Sequence, residues 1–182
     1  MPRILIGIRD SDNCIKFNKT DGAIIRHTTY GCEIDVFDYS IFHSVLKEIR
    51  EESIVFSSSD EQLDRIKRDM DDKSLIKYAF TLFNQERYWE YHELLEKIWR
   101  KYNGKIKEFI QCLIHVGVSQ VKFQLEQPKT ANTVYLRTME KMRSLVTNDE
   151  FQLFPEKFAY PIKFDEKQLR VILESEIMKN II

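Results

Sequence analysis

The sequence predicts an α+β chain: a small β-rich N-terminal unit followed by an all-α helical bundle. Three observations predict it. Up to residue 58, short apolar runs alternate with turn residues at the spacing of strands. From Ser74 onward, apolar residues recur at helical spacing in successive long segments. Between the two lies DEQLDRIKRDMDDK (60–73), dense in charge and read as a helical connector. The expected domains are therefore an α+β unit over 1–58, a connector over 59–73 and a helical bundle over 74–182.

In the first unit, RILIGIR (3–9) is a short apolar run suited to a buried strand. Cys14–Phe17 and Ala23–Thr29 are further strands, separated by turn residues from Asn18 to Gly22. Cys32, Ile34 and Val36 alternate with Glu33 and Asp35, which predicts a strand burying one face only. Ser40 is placed to cap a helix with Ile41, Val45, Leu46 and Ile49 inward. Ile54–Phe56 closes the unit as a last short strand. Two turns carry polar clusters, RDSDN after the first strand and SSSD before residue 61. Asp10 and Asp12 have the oxygen chemistry of a cation site, and the serines that of an anion-holding helix start, capped by Ser59 or Asp60. Neither has the glycines of a phosphate loop, and both compositions are ordinary turn chemistry.

In the bundle, Leu75, Tyr78, Ala79, Leu82 and Phe83 define a helix ending near Asn84. The stretch FNQERYWEYHELLEKIWR (83–100) then concentrates two tryptophans, a histidine and several glutamates beside an apolar stripe of Tyr91, Leu94, Leu95, Ile98 and Tyr102. Asn103-Gly104 reads as its C-cap. Lys105–Gln127 is apolar around much of its circumference and so is the central helix, with Gly117 allowing a close neighbour. Pro128 opens a helix running to about Val146. Phe151–Phe164, with Pro155 and Pro161 among its aromatics, should be extended. Asp165 caps a last helix. No internal repeat is evident.

The candidate site lies on the tryptophan-rich helix. His92 and Glu96 stack one turn apart, with Trp99 on the core side and Trp89 and Glu93 on the other. Ionisable groups where apolar meets polar face suit proton transfer or metal ligation, although such residues equally serve to tie helices together. HELLE lacks the second histidine of the zinc-binding HExxH motif. On the long apolar helix, Gln111, His115 and Ser119 form one polar line, extended by Lys122. Antiparallel packing would bring that line opposite His92 and Glu96, converging on a pocket for a small ligand or a divalent metal held by His92, Glu96 and His115.

Composition bounds the function. The 182 residues carry a net charge of −1 with no basic block, so nucleic acid is disfavoured as a partner. Residues 1–73 hold eleven basic and fifteen acidic side chains, net −4, and residues 74–182 hold seventeen and fourteen, net +3. No apolar run approaches the ~20 residues that span a membrane. Three widely spaced cysteines, Cys14, Cys32 and Cys112, read as reduced thiols of a cytoplasmic protein.

The pattern FNxxxYWExHExLExxW, followed by FIQCLIHVGVSQ, resembles the domain-of-unknown-function family 309, a helical domain of many bacterial and archaeal proteins. The resemblance covers roughly residues 74–145. It implies motif positions at Phe83, Asn84, Tyr88, Trp89, His92, Glu93, Glu96 and Trp99, with Leu113 and Ile114 in a second motif. That second motif usually reads GLIQ, so Cys112 stands for its glycine and His115 for its glutamine. Gln127-Pro128-Lys129 likewise replaces a glycine-containing turn, while Ala131 still fits. The resemblance implies no established activity.

Two functions follow as expectations. One is a binding or interaction module with a pocket at His92, Glu93, Glu96, Trp99, Trp89, Gln111 and His115, taking a small ligand or a protein, with self-association open. The other is a metal-assisted or acid–base hydrolase using His92, Glu93, Glu96 and His115. His27 and His43 lie in the other unit.

Overall fold

The computed structural model describes residues 3–9, 22–49, 54–179 and 181. Internal contacts divide the chain into two compact units, Met1–Ile66 and Lys67–Ile182. The architecture is α+β, an antiparallel sheet in the first unit and helices in the second.

The first unit contains β1 (Ile4–Ile8), β2 (Ala23–Thr28), β3 (Gly31–Val36), α1 (Tyr39–Glu48) and β4 (Ile54–Ser59). The strands are ordered β2-β3-β1-β4 and every neighbouring pair is antiparallel. Ile6, Ile8, Cys32, Ile34 and Val36 pack with Val45 of α1 and Ile49 just beyond it. Period-two alternation puts these strand residues on one face. The expected strand at Cys14–Phe17, and Asp10 and Asp12, lie outside the described residues. Asp38, not Ser40, is the N-cap of α1: its carboxylate accepts from the Ser40 N–H at 2.7 Å. β4 runs to Ser59, three residues beyond the expected end.

The second face of the sheet differs from expectation. Glu33 and Asp35 are buried, not solvated, at 0% and 1% exposure. They are neutralised in place. Arg26 reaches Glu33 at 3.1 Å and Asp35 at 2.6 Å, and Arg3 adds a two-pronged bond to Asp35. Both carboxylates hold the Arg26 guanidinium charged against the desolvation that burial imposes. Cys32 is disulfide-bonded where a reduced thiol is expected, while Cys112 is free and buried. Pairing of cysteines depends on their proximity in the fold, which spacing alone does not encode.

α2 (Asp60–Asp69) spans the division between the units, and Ser59 caps it by accepting from the Gln62 N–H. The second unit continues with α3 (Asp72–Asn84), α4 (Tyr88–Trp99), α5 (Gly104–Gln124), α6 (Pro128–Arg143), α7 (Asn148–Phe151), α8 (Glu166–Glu174) and α9 (Glu176–Lys179). Helices α3 to α6 pack each on the next in sequence. Asp71 starts α3 earlier than expected by accepting from Ser74 N–H. Asn103-Gly104 opens α5 rather than closing α4. Asn148-Asp149 begins a short helix capped by Thr147 instead of ending α6.

The α3–α4 and α5–α6 connections are the same turn. Glu86 and Glu126 both adopt positive φ, 64° and 58°. The next residues, Arg87 and Gln127, each donate their N–H five residues back, to Leu82 and Lys122. This is a Schellman closure with glutamate at the left-handed position that glycine usually takes. The local sequences FNQE and FQLE, at 83–86 and 123–126, are its trace. The repeat escapes a reading of the sequence because the likeness is confined to these few residues.

Gly117 sets how closely α4 approaches α5. A methyl group there would lie 2.7 Å from the Tyr91 ring. Tyr91 also donates its buried hydroxyl to the Leu113 carbonyl across the same interface, at 3.1 Å. The segment between α7 and α8, expected to be extended, runs instead through turns and bends, and Phe151 ends α7. Side-chain amides hold its backbone. Asn84 bonds both the N–H and the carbonyl of Phe164, and Gln120 bonds the Ala159 carbonyl and the Ile162 N–H. Phe80, Phe83, Phe154 and Phe164 close the interior beneath it with edge contacts.

Candidate functional site

α4 is amphipathic. Tyr88, Tyr91, Leu94, Leu95 and Ile98 are fully buried, which leaves His92, Glu93, Glu96 and Trp99 at the margin of that face. One turn of helix separates His92 from Glu96, so the two side chains meet: His92 Nε2 lies 3.1 Å from Glu96 Oε1. His92 Nδ1 lies 3.8 Å from Glu93 Oε1. Each carboxylate also has a cation. Arg100 donates to Glu96 at 2.9 Å, and Lys67 donates to Glu93 at 3.4 Å. The Trp89 ring stands 5.5 Å from the imidazole of His92, tilted against it.

α5 runs antiparallel beside α4, as the Tyr91–Leu113 bond and the Gly117 contact require. This register puts Lys107 against Trp99, with Nζ 4.3 Å from the ring centroid, a cation–π geometry. At the other end of the line His115 stands close enough to His92 to feel its charge. His115 is exposed, and its pKa lies below the usual histidine value. Partial desolvation is the largest cause, followed by the nearby charges of Lys141 and His92. Lys141 comes from α6, where it pairs with Glu108 of α5 at 3.4 Å. Gln111 lies half-buried between Lys107 and His115 on the same side of α5. The expected polar line then enters the interior. Ser119 is fully buried, its hydroxyl donating to the Val116 carbonyl at 2.6 Å.

The seven candidate residues thus fall along one α4–α5 surface within the second unit, whereas His27 and His43 belong to the first. The described cavities lie elsewhere. Two described grooves, of about 470 Å³ and 480 Å³, are lined by residues such as Lys77, Leu169 and Arg170, or Asp72 and Lys101. Among the described residues, no three His, Cys, Asp or Glu side chains form a cluster able to hold a metal ion. His92 and Glu96 meet, but among the described residues they form no such cluster with His115. Two polar atoms on the surface are buried without a hydrogen-bond partner among the described residues, His92 Nδ1 and Trp99 Nε1.

Lys107 and Lys141 complete this surface without having been singled out in the sequence. Lys107 was legible, since it lies one step before Gln111 and His115 on the same i, i+4 line. Lys141 was not, because its place depends on how α6 packs. Cys112 is buried, and desolvation pushes its thiol up to about 11, which disfavours the reactive thiolate.

Residues 76–134 match the family described as a domain of unknown function (DUF309). The matched segment runs from α3 into α6 and contains all seven candidate residues. No curated protein and no solved structure matches the chain.

Proposed function

We propose that the helical unit, whose residues 76–134 match that family, is an interaction module that uses the α4–α5 surface to recognise a protein segment. The observation that carries this reading is the surface's chemistry. Two tryptophans and a histidine of α4 face a second histidine and a lysine of α5, and Trp99 keeps its indole N–H buried without a partner among the described residues. Tryptophan and arginine anchors beside half-buried polar groups are the composition of protein-recognition hot spots.

The test is selection of a random peptide library displayed on phage against the whole protein. Selected peptides should lose at least about tenfold in affinity for Trp99→Phe or His92→Gln, while both variants melt as the parent does. Selection yielding no peptide, or only peptides indifferent to both substitutions, overturns the proposal.

A further inference from the structure

Resting on that reading of the surface, we infer that its partner is an acidic extended peptide, bound along the Lys107–Gln111–His115 line of α5. The argument is a balance of charges already matched. Each carboxylate on the strip has a basic partner: Glu93 with Lys67, Glu96 with Arg100 and Glu108 with Lys141. What remains unmatched is donor or cation. Lys107 rests on the Trp99 ring and has no carboxylate partner among the described residues, and His115 is exposed beside Lys141 of α6 and His92 of α4. Lys107 and His115 lie two turns apart on one helix, a length an extended peptide of a few residues covers.

The complement of such a line is a row of spaced acceptors. Carboxylates spaced along a peptide supply them, and the peptide can slip between the glutamates already on the strip. A nucleic-acid backbone fits less well, because its phosphates are uniformly spaced and would meet Glu93, Glu96 and Glu108 as like charges. A carboxylate set beside His115 would favour its imidazolium and so bind together with a proton. Glu93, Glu96 and Glu108 are held by their own cations and do not supply that charge.

Titration calorimetry of the whole protein with an oligo-glutamate peptide tests this, with oligo-lysine and a single-stranded oligonucleotide as alternatives. Oligo-glutamate should bind most tightly, weaken as salt is added, and tighten several-fold between about pH 7.5 and pH 6, across the usual histidine range. Proton uptake, read from the difference between two buffers of unlike ionisation enthalpy, should disappear in His115→Gln. Lys107→Glu should abolish binding without lowering the melting temperature. Equal binding of oligo-lysine, tighter binding of the oligonucleotide, or oligo-glutamate binding unaltered in Lys107→Glu overturns the inference. Library peptides that depend on Trp99 but carry no acidic residues would leave the recognition surface standing and remove only the acidic partner.

Discussion

His115 is a side chain whose effect on stability can be signed. Its folded pKa lies below the ordinary histidine value, because partial desolvation, Lys141 and His92 all oppose its positive form. The unfolded chain therefore takes up that proton more readily, and stability falls as pH drops through the usual histidine value of about 6.5. Between about pH 7.5 and pH 5, His115→Gln should lose less stability than the parent, as chemical denaturation at each pH would reveal. Equal slopes would mean that the surrounding charges do not act on it. A larger effect belongs to Arg26, which satisfies two buried carboxylates at once. Arg26→Met should cost about 3–5 kcal/mol in denaturant unfolding, since it removes the cation that buried Glu33 and Asp35 share and leaves Asp35 to Arg3 alone. The thiols offer a direct count: under denaturing conditions one should react before reduction, Cys112, and three after it. At this scale the sequence was half legible. The i, i+4 spacing of His92 and Glu96 was enough to bring them into contact. The alternation of Glu33 and Asp35 with apolar residues pointed to solvent, and failed because a pattern along one strand does not reveal a buried arginine on the next.

Helices meet here through contacts that small changes can open. Gly117→Ala would press a methyl group into the Tyr91 ring and should cost about 1–3 kcal/mol by overpacking. The loss should show as a lower denaturation midpoint at an unchanged slope. The repeated turn predicts the opposite sign. Glu126 sits at positive φ, where a side chain is strained and glycine is not. Glu126→Gly should therefore stabilise the protein by up to about 1 kcal/mol, and a loss of stability would show that the Glu126 side chain outweighs that strain. Gly117 was readable as a close-approach site, because a lone glycine in so apolar a helix leaves few other reasons for it. The turn was not readable, because a glutamate gives no sign that it will occupy a left-handed position. Caps shifted for a related reason: Asp38 and Asp71 accept from both the N–H and the hydroxyl of Ser40 and Ser74, which places those serines inside their helices, and only the backbone path decides this.

Across the molecule, the order of strand-rich then helix-rich segments was legible because hydrophobic period alone separates the two. The location of the candidate groups was legible only in part. Antiparallel packing of α4 on α5 brings His92 toward His115 and Trp99 toward Lys107, as the helical spacing implied, whereas Lys141 reaches the same surface only through the packing of α6. The proposal of a recognition surface rests on which side chains answer when a partner arrives. The chain has two tryptophans, and so two indole N–H signals. The most direct measurement is a nuclear magnetic resonance titration of the labelled protein with a library-selected peptide, followed at those two signals and at the amides of α4, α5 and α8. The indole of Trp99 should move, together with amides around His92, Lys107 and His115, while α8 stays still. An unmoved Trp99, with shifts gathered instead around the Lys77–Arg170 groove, would contradict the assignment of this surface.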